Sequence, residues 1–106
     1  MPNTFKNVLY EVTSTNSVFY TCPAATTGIV IGLQATNKAG GGTVAIDLSV
    51  DDGVAEEPML NNASLPIGAS LSCVAGKLVL EAGDTLKAAT GTTGDVALVM
   101  SILEIS

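Results

Sequence analysis

Apolar positions in this chain recur with a period of two, in short runs broken by Gly, Pro, Asn and Asp. Between Thr43 and Val50, Val44, Ile46, Leu48 and Val50 alternate with Thr43, Ala45, Asp47 and Ser49. Strict alternation of this kind predicts a strand with one buried face. Asn7 to Val12 places Val8, Tyr10 and Val12 on one side, and Val18 to Cys22 places Val18, Tyr20 and Cys22 on one side. With the polar cluster Ser14 to Ser17 between them, these two runs predict an N-terminal hairpin, and Pro23 ends its second strand. Gly28 to Thr36 predicts a strand with Ile29, Ile31, Leu33 and Ala35 on one face, and Gly32 inside it signals a bulge or a close backbone approach.

The second half repeats the pattern at even spacing. Asp51-Asp52-Gly53 is a turn. Val54 to Asn62 carries Glu56 and Glu57 before Pro58, which permits an edge strand or a loop. Leu65-Pro66-Ile67-Gly68 reads as extended chain. Ala69 to Val74, Lys77 to Leu80, Thr85 to Thr90 and Val96 to Ile105 complete the set, and Glu81 to Asp84 has the Gly and Asp of a tight reversal. Asn37 to Gly42 and Gly91 to Gly94 are expected loops. No segment predicts a helix longer than a turn. Eight or nine short strands with this spacing predict an all-β, antiparallel β-sandwich of jelly-roll type, one domain over residues 1–106. Val44, Ile46, Leu48, Leu78, Leu80, Leu86, Leu98 and Met100 are its expected core.

The last strand departs from simple alternation. Val96, Leu98, Met100 and Ile102 form one apolar row, while Ala97, Val99, Leu103 and Ile105 form another, interrupted by Ser101. Two readings fit the second row: a loop covers it, or it is a subunit interface made by Val99, Leu103 and Ile105.

Composition narrows the function. Charged residues are 13% of the chain, about half the usual share, which fits a chain packed against neighbours as well as a neutral Thr/Ser-surfaced domain. An ordered Met1 would fit the assembled state. The net charge is −6, and the four basic residues, Lys6, Lys38, Lys77 and Lys87, are scattered. Neither a nucleic-acid footprint nor an attraction to anionic membranes follows from that arrangement. No signal peptide and no apolar run of membrane-spanning length is expected. Cys22 and Cys73 therefore read as two buried thiols, with a single disulfide the alternative in an oxidising compartment.

Candidate chemistry is sparse. The chain has no His, hence neither the commonest general base nor the commonest metal ligand. Ser70, Ser72 and Ser101 have no base to activate them. Asp51, Asp52, Glu56, Glu57, Glu81, Asp84 and Asp95 could pair for glycoside chemistry or loosely hold calcium, but their places beside Gly and Pro mark them as turn and surface residues. Gly40-Gly41-Gly42 lacks the Lys and the following helix of a phosphate loop. No catalytic residue, metal or cofactor is expected.

Three stretches, Leu65 to Leu71, Lys77 to Ala88 and Met100 to Ser106, resemble small structural proteins of tailed-bacteriophage virions. Asn7-Val8-Leu9-Tyr10 and Tyr20-Thr21-Cys22-Pro23 are also similar to that group, and Val54 to Ala63 lies outside the likeness. The resemblance implies a non-enzymatic β-sandwich that decorates or cements the head shell. It would bind the major capsid protein and copies of itself, as a homotrimer, in a virion assembled in the host cytoplasm. The alternatives are a tail, collar or fibre-attachment component, or a carbohydrate-binding β-sandwich. The absence of Trp and the scarcity of aromatic residues count against sugar stacking.

Overall fold

A computed structural model describes residues 3–38, 42–74, 77–91 and 96–105. Met1, Gly40, Gly41, residues 92–94 of the expected loop tip, and Asp95 lie outside the described residues. Among the described residues the chain forms nine strands and no helix: β1 (Asn3–Glu11), β2 (Ser17–Thr21), β3 (Thr27–Asn37), β4 (Val44–Asp51), β5 (Glu56–Leu65), β6 (Ser70–Ser72), β7 (Leu78–Leu80), β8 (Thr85–Thr90) and β9 (Val96–Ile105). One sheet has the order β1-β9-β3-β6, with β7 also paired to β3. The other has the order β2-β8-β4-β5, and every pairing is antiparallel. This is the strand order of a jelly-roll sandwich, with one edge position shared by β6 and β7.

The expected N-terminal hairpin does not form. β1 pairs with β9 from Asn3 opposite Ile105 to Glu11 opposite Ala97, while β2 pairs with β8 in the other sheet. The apolar rows of β1 and β2 face each other across the core instead of lying side by side, and Tyr10 stacks on Phe19 with ring centroids 5.5 Å apart. β4 and β5 do form a hairpin, around the Asp51-Asp52-Gly53 turn. β5 is the edge strand that Pro58 allows, but it runs on to Leu65. The extended chain expected at Leu65 to Gly68 stops at Leu65. Pro66 to Ala69 is a turn closed by the Ala69 amide on the Pro66 carbonyl at 3.0 Å, with Gly68 at φ 72°.

Two bulges change which side chains point inward. In β3 the register against β9 breaks between Val30 and Gly32. Gly28 and Val30 face in before the break, and Leu33, Ala35 and Asn37 face in after it, leaving Ile31 exposed. The bulge signalled by Gly32 is present. The expected single row of Ile29, Ile31, Leu33 and Ala35 is not, because one extra residue inverts the pleat. A similar break between Val18 and Tyr20 leaves Val18 outside the row that holds Tyr20 and Cys22.

The core lies between the sheets. Ile46, Leu48, Leu80, Leu86, Leu98 and Met100 are fully buried in it, and Val44 and Leu78 pack against its rim. Asn37 is also buried; its amide donates to the Gly42 carbonyl at 2.8 Å and the Leu65 carbonyl at 3.0 Å, tying two loops to the end of β3. At the opposite end of β3, Tyr20 donates its hydroxyl to Glu104, and Lys6 lies 3.6 Å from the same carboxylate. Burial, reinforced by Glu104, holds the Tyr20 phenol well above its usual range. Cys22 is buried and Cys73 partly buried; both are free thiols, and burial pushes both up.

Replacing Ile46 with Ala, at the centre of β4, is expected to cost about 2–5 kcal/mol through lost transfer energy and the cavity left behind. Urea unfolding measures it, and a cost near zero would mean that Ile46 is not in the core. Because both thiols are free, reductant is expected to leave the thermal midpoint unchanged.

Candidate assembly surface

β9 lies between β1 and β3, so the side chains of its second row emerge in the middle of a sheet. Val96, Leu98, Met100 and Ile102 point into the core and are buried. Val99, Leu103 and Ile105, the residues singled out from sequence, all lie on the opposite face. Val99 is exposed, while Leu103 and Ile105 are half-buried by their neighbours within the sheet. Among the described residues no loop covers this face.

The register extends the patch across four strands. Val79 of β7 lies opposite Ile29 of β3, Ile29 opposite Leu103 of β9, and Leu103 opposite Phe5 of β1. One unbroken apolar row therefore crosses the sheet perpendicular to its strands. A second, shorter row pairs Leu9 with Val99. Between the rows lie Asn7, Ser101 and Gly32, small or polar, with the exposed Ile31 of the bulge beside them. A Cβ at Gly32 would meet nothing within 4 Å, and shallow depressions of about 310 and 340 Å³ open on either side of Ser101. The face is thus apolar but dimpled, with Phe5 73% and Leu9 74% exposed at its β1 margin.

Sequence patterning did not bring Phe5, Leu9, Ile29 or Val79 to this surface. Phe5 precedes the expected strand, which began at Asn7, and Leu9 lies in that strand as a lone apolar residue between Asn7 and Glu11 on the face opposite Val8, Tyr10 and Val12. Ile29 was assigned to the wrong face because the bulge in β3 reverses the alternation. Val79 is the single outward residue of a three-residue strand, too short to show a period.

The outer face of the second sheet differs in chemistry. A shallow cavity of about 460 Å³ is lined by Asn16, Asp47, Ser49, Glu56 and Asn61 together with apolar neighbours. Its acidic groups are engaged within the sheet. Glu56 accepts hydrogen bonds from Ser49 Oγ and from Asn16 Nδ2, and Asp47 accepts the backbone N–H of Asn62 at 2.7 Å. Lys87 spans the strands to reach Asp51 at 2.9 Å and Glu56 at 3.4 Å. Asp51 and Asp52 serve as turn acceptors: Asp51 takes the Gly53 amide, and Asp52 those of Val54 and Ala55. Asp84 likewise takes the Glu81 amide. Of the acidic residues weighed as glycoside or calcium groups, Asp51, Asp52, Glu56 and Asp84 brace turns and strand pairs.

No family model matches this chain, and no curated protein matches it. Solved structures do. A protein of Bacillus endospore appendages, which form a family of disulfide-linked pili, matches with a TM-score of 0.58 and 10% identity, over 99% of this chain and 87% of that one. A pentameric capsid protein isolated from metagenomic phage sequences matches with a TM-score of 0.42 and 24% identity, over 92% of this chain. This chain spans 59% of that protein's length. The fold of this chain is that of a β-sandwich also used by the appendage protein.

The network around Lys87 predicts the pH response of the fold. Backbone amides, then Lys87, hold Asp51 below the usual carboxylate range. The Ala55 and Val54 amides do the same for Asp52, and Ser49 and Asn16 do so for Glu56. These groups titrate lower folded than unfolded, so they stabilise above their ordinary values of 3.8 and 4.5, and that stability is lost as pH falls through the lowered ones. Lys87 is raised above 10.5, chiefly by Asp51, so its contribution is full below that value and fades as pH rises through the raised one. Urea midpoints are expected to hold level from about pH 5 to about pH 8 and to fall on both sides; the alkaline fall begins with Cys22 and Cys73, whose raised folded values let the unfolded thiols, at 9.0, ionise first. Lys87→Met is expected to make both falls shallower without removing the alkaline one, which Cys22, Cys73 and Tyr20 sustain. The acid fall persists in that variant because turn amides still hold Asp51 and Asp52.

Proposed function

We propose that this chain is a non-enzymatic structural protein of a bacteriophage virion, a decoration or cement protein that docks on the major capsid protein as a closed homotrimer. In this reading residues 1–106 act as a single β-sandwich domain, assembled onto the shell in the host cytoplasm. The observation that carries it is the uncovered apolar face of the β1-β9-β3 sheet. The largest apolar patch on a monomer is often functional, and patches of this kind mark association sites. The stretches that resemble phage virion proteins include the C-terminal half of β9, so the likeness and the apolar face meet in the same strand.

Energetics locate the centre of the contact. Full burial of a large apolar side chain contributes about 1.5–3 kcal/mol before association costs. Leu103 and Ile105 are already half-covered, so most of the gain comes from the more exposed Phe5, Leu9, Val79 and Val99. The dimples beside Ser101 supply recesses for side chains of a neighbour. A cyclic arrangement sets one patch against a different patch on the next subunit and closes without leaving either exposed. Each subunit would act mechanically, and many modest contacts to the shell would add through multivalency.

Val99→Asp and Leu103→Asp place a charge on this face without touching the core. Both variants are expected to melt cooperatively as monomers and to lose binding to purified heads, while the wild type sediments as a trimer and binds. Wild-type protein that stays monomeric, with variants that bind heads normally, would overturn the reading. Open filaments in place of closed rings would replace it with a polymer arrangement, of the kind formed by the appendage protein that shares this fold.

A further inference from the structure

A sandwich of two open sheets has four edges, and an unpaired edge is a template for another strand unless something blunts it. Three edges here are blunted. β5 contains Pro58, two breaks of register and a left-handed Asn62. β2 has five residues and its own break. β6 and β7 have three residues each and share one edge. β1 is different. It has nine residues and no Pro, and its register against β9 is unbroken. Among the described residues, no strand pairs with its far side.

We infer that β1 pairs with β1 of a second copy, antiparallel about a two-fold axis at Asn7, joining two five-stranded sheets into one of ten strands. Strand alternation selects this register. In an edge strand every other residue turns its N–H and C=O outward. Both partners here are the same strand, so residues that face each other must both be odd-numbered or both even-numbered. The same parity keeps outer faces together. Of the registers that remain, the one with Asn7 opposite Asn7 uses all nine residues. It sets Phe5 against Leu9 of the partner subunit, twice by symmetry, and Lys6 against Val8 of the partner subunit. Shifting by one step in one direction puts Lys6 opposite itself, and like charges directly opposite are destabilising. Shifting the other way puts Glu11 against Phe5. The chosen register thus covers two highly exposed apolar side chains with each other, and cross-strand aromatic–aliphatic pairs stabilise sheets.

This contact is made by the backbone edge of β1, and it shares Phe5 and Leu9 with the margin of the apolar face, so its test is read with the face contact removed. The test is disulfide capture. Asn7→Cys and, as control, Asn3→Cys are compared under mild oxidation, each in a Cys73→Ser background that leaves only the buried Cys22. Opposite residues of an antiparallel pair lie within disulfide range. Asn7→Cys is expected to give a covalent dimer rapidly, and Asn3→Cys, which faces Glu11 of the partner subunit, is not. Asn7→Lys, exposed and so harmless to folding, is expected to abolish the edge dimer seen by crosslinking mass spectrometry of unmodified protein. Equal, slow cross-linking of the two Cys variants would overturn the inference. So would an Asn7→Lys protein that retains wild-type β1–β1 crosslinks. Repeating the Asn7→Cys capture in the Val99→Asp background, which breaks the face contact, is expected to leave it rapid; loss of capture there would assign the crosslink to the face and overturn the inference.

Discussion

The structure depends on β9 being held along both of its sides. β1 lies along one side and β3 along the other, and each pairs with β9 over nearly its entire length. Its inner row of Val96, Leu98, Met100 and Ile102 forms the floor of the core, so the strand that closes the sheet also supplies much of what the sandwich buries. The remaining elements follow from that placement. β3 holds β6 and β7 on its far side, and β1 is left with one free edge. The second row of β9 lies in mid-sheet, where none of the described segments covers it.

The two outer faces answer to different physics. The β1-β9-β3 sheet presents apolar rows with a polar seam between them. The β2-β8-β4-β5 sheet presents carboxylates and amides linked to one another and to Lys87. Water satisfies the second face well and the first poorly. A molecule with this division has one side suited to solvent and one suited to contact. The residues that carry the resemblance to phage virion proteins belong to strands and turns.

The sequence announced the strands well and their neighbours poorly. Period-two alternation marks a face, and β4 and the inner row of β9 were legible for that reason. Alternation says nothing about which strand lies alongside, so β1 and β2 read as a hairpin although they belong to opposite sheets. Bulges were half legible. Gly32 flagged the break in β3, but the reversal of Ile29 and Ile31 that followed from it did not show in the pattern. Val99, Leu103 and Ile105 were visible as a surplus of apolar residues on one strand. Phe5, Ile29 and Val79 join Leu103 only through pairings between distant strands, and Leu9 joins Val99 in the same way. A local reading of residues carries no trace of such pairings.

The pairing of β1 with β9 also governs the order in which the chain can fold. Contacts between the start and the end of a chain carry the largest loop-closure cost, and topologies rich in such contacts fold slowly. The β4–β5 hairpin can form from adjacent residues, whereas β1 must wait for β9 to be synthesised. Until then β1 has two open edges and a row containing Phe5 and Leu9. During that interval a strand waiting for its intramolecular partner can meet the same strand of a neighbouring chain on a polysome. Crowded synthesis would therefore favour mispaired chains, and slow, dilute expression would favour the closed sandwich.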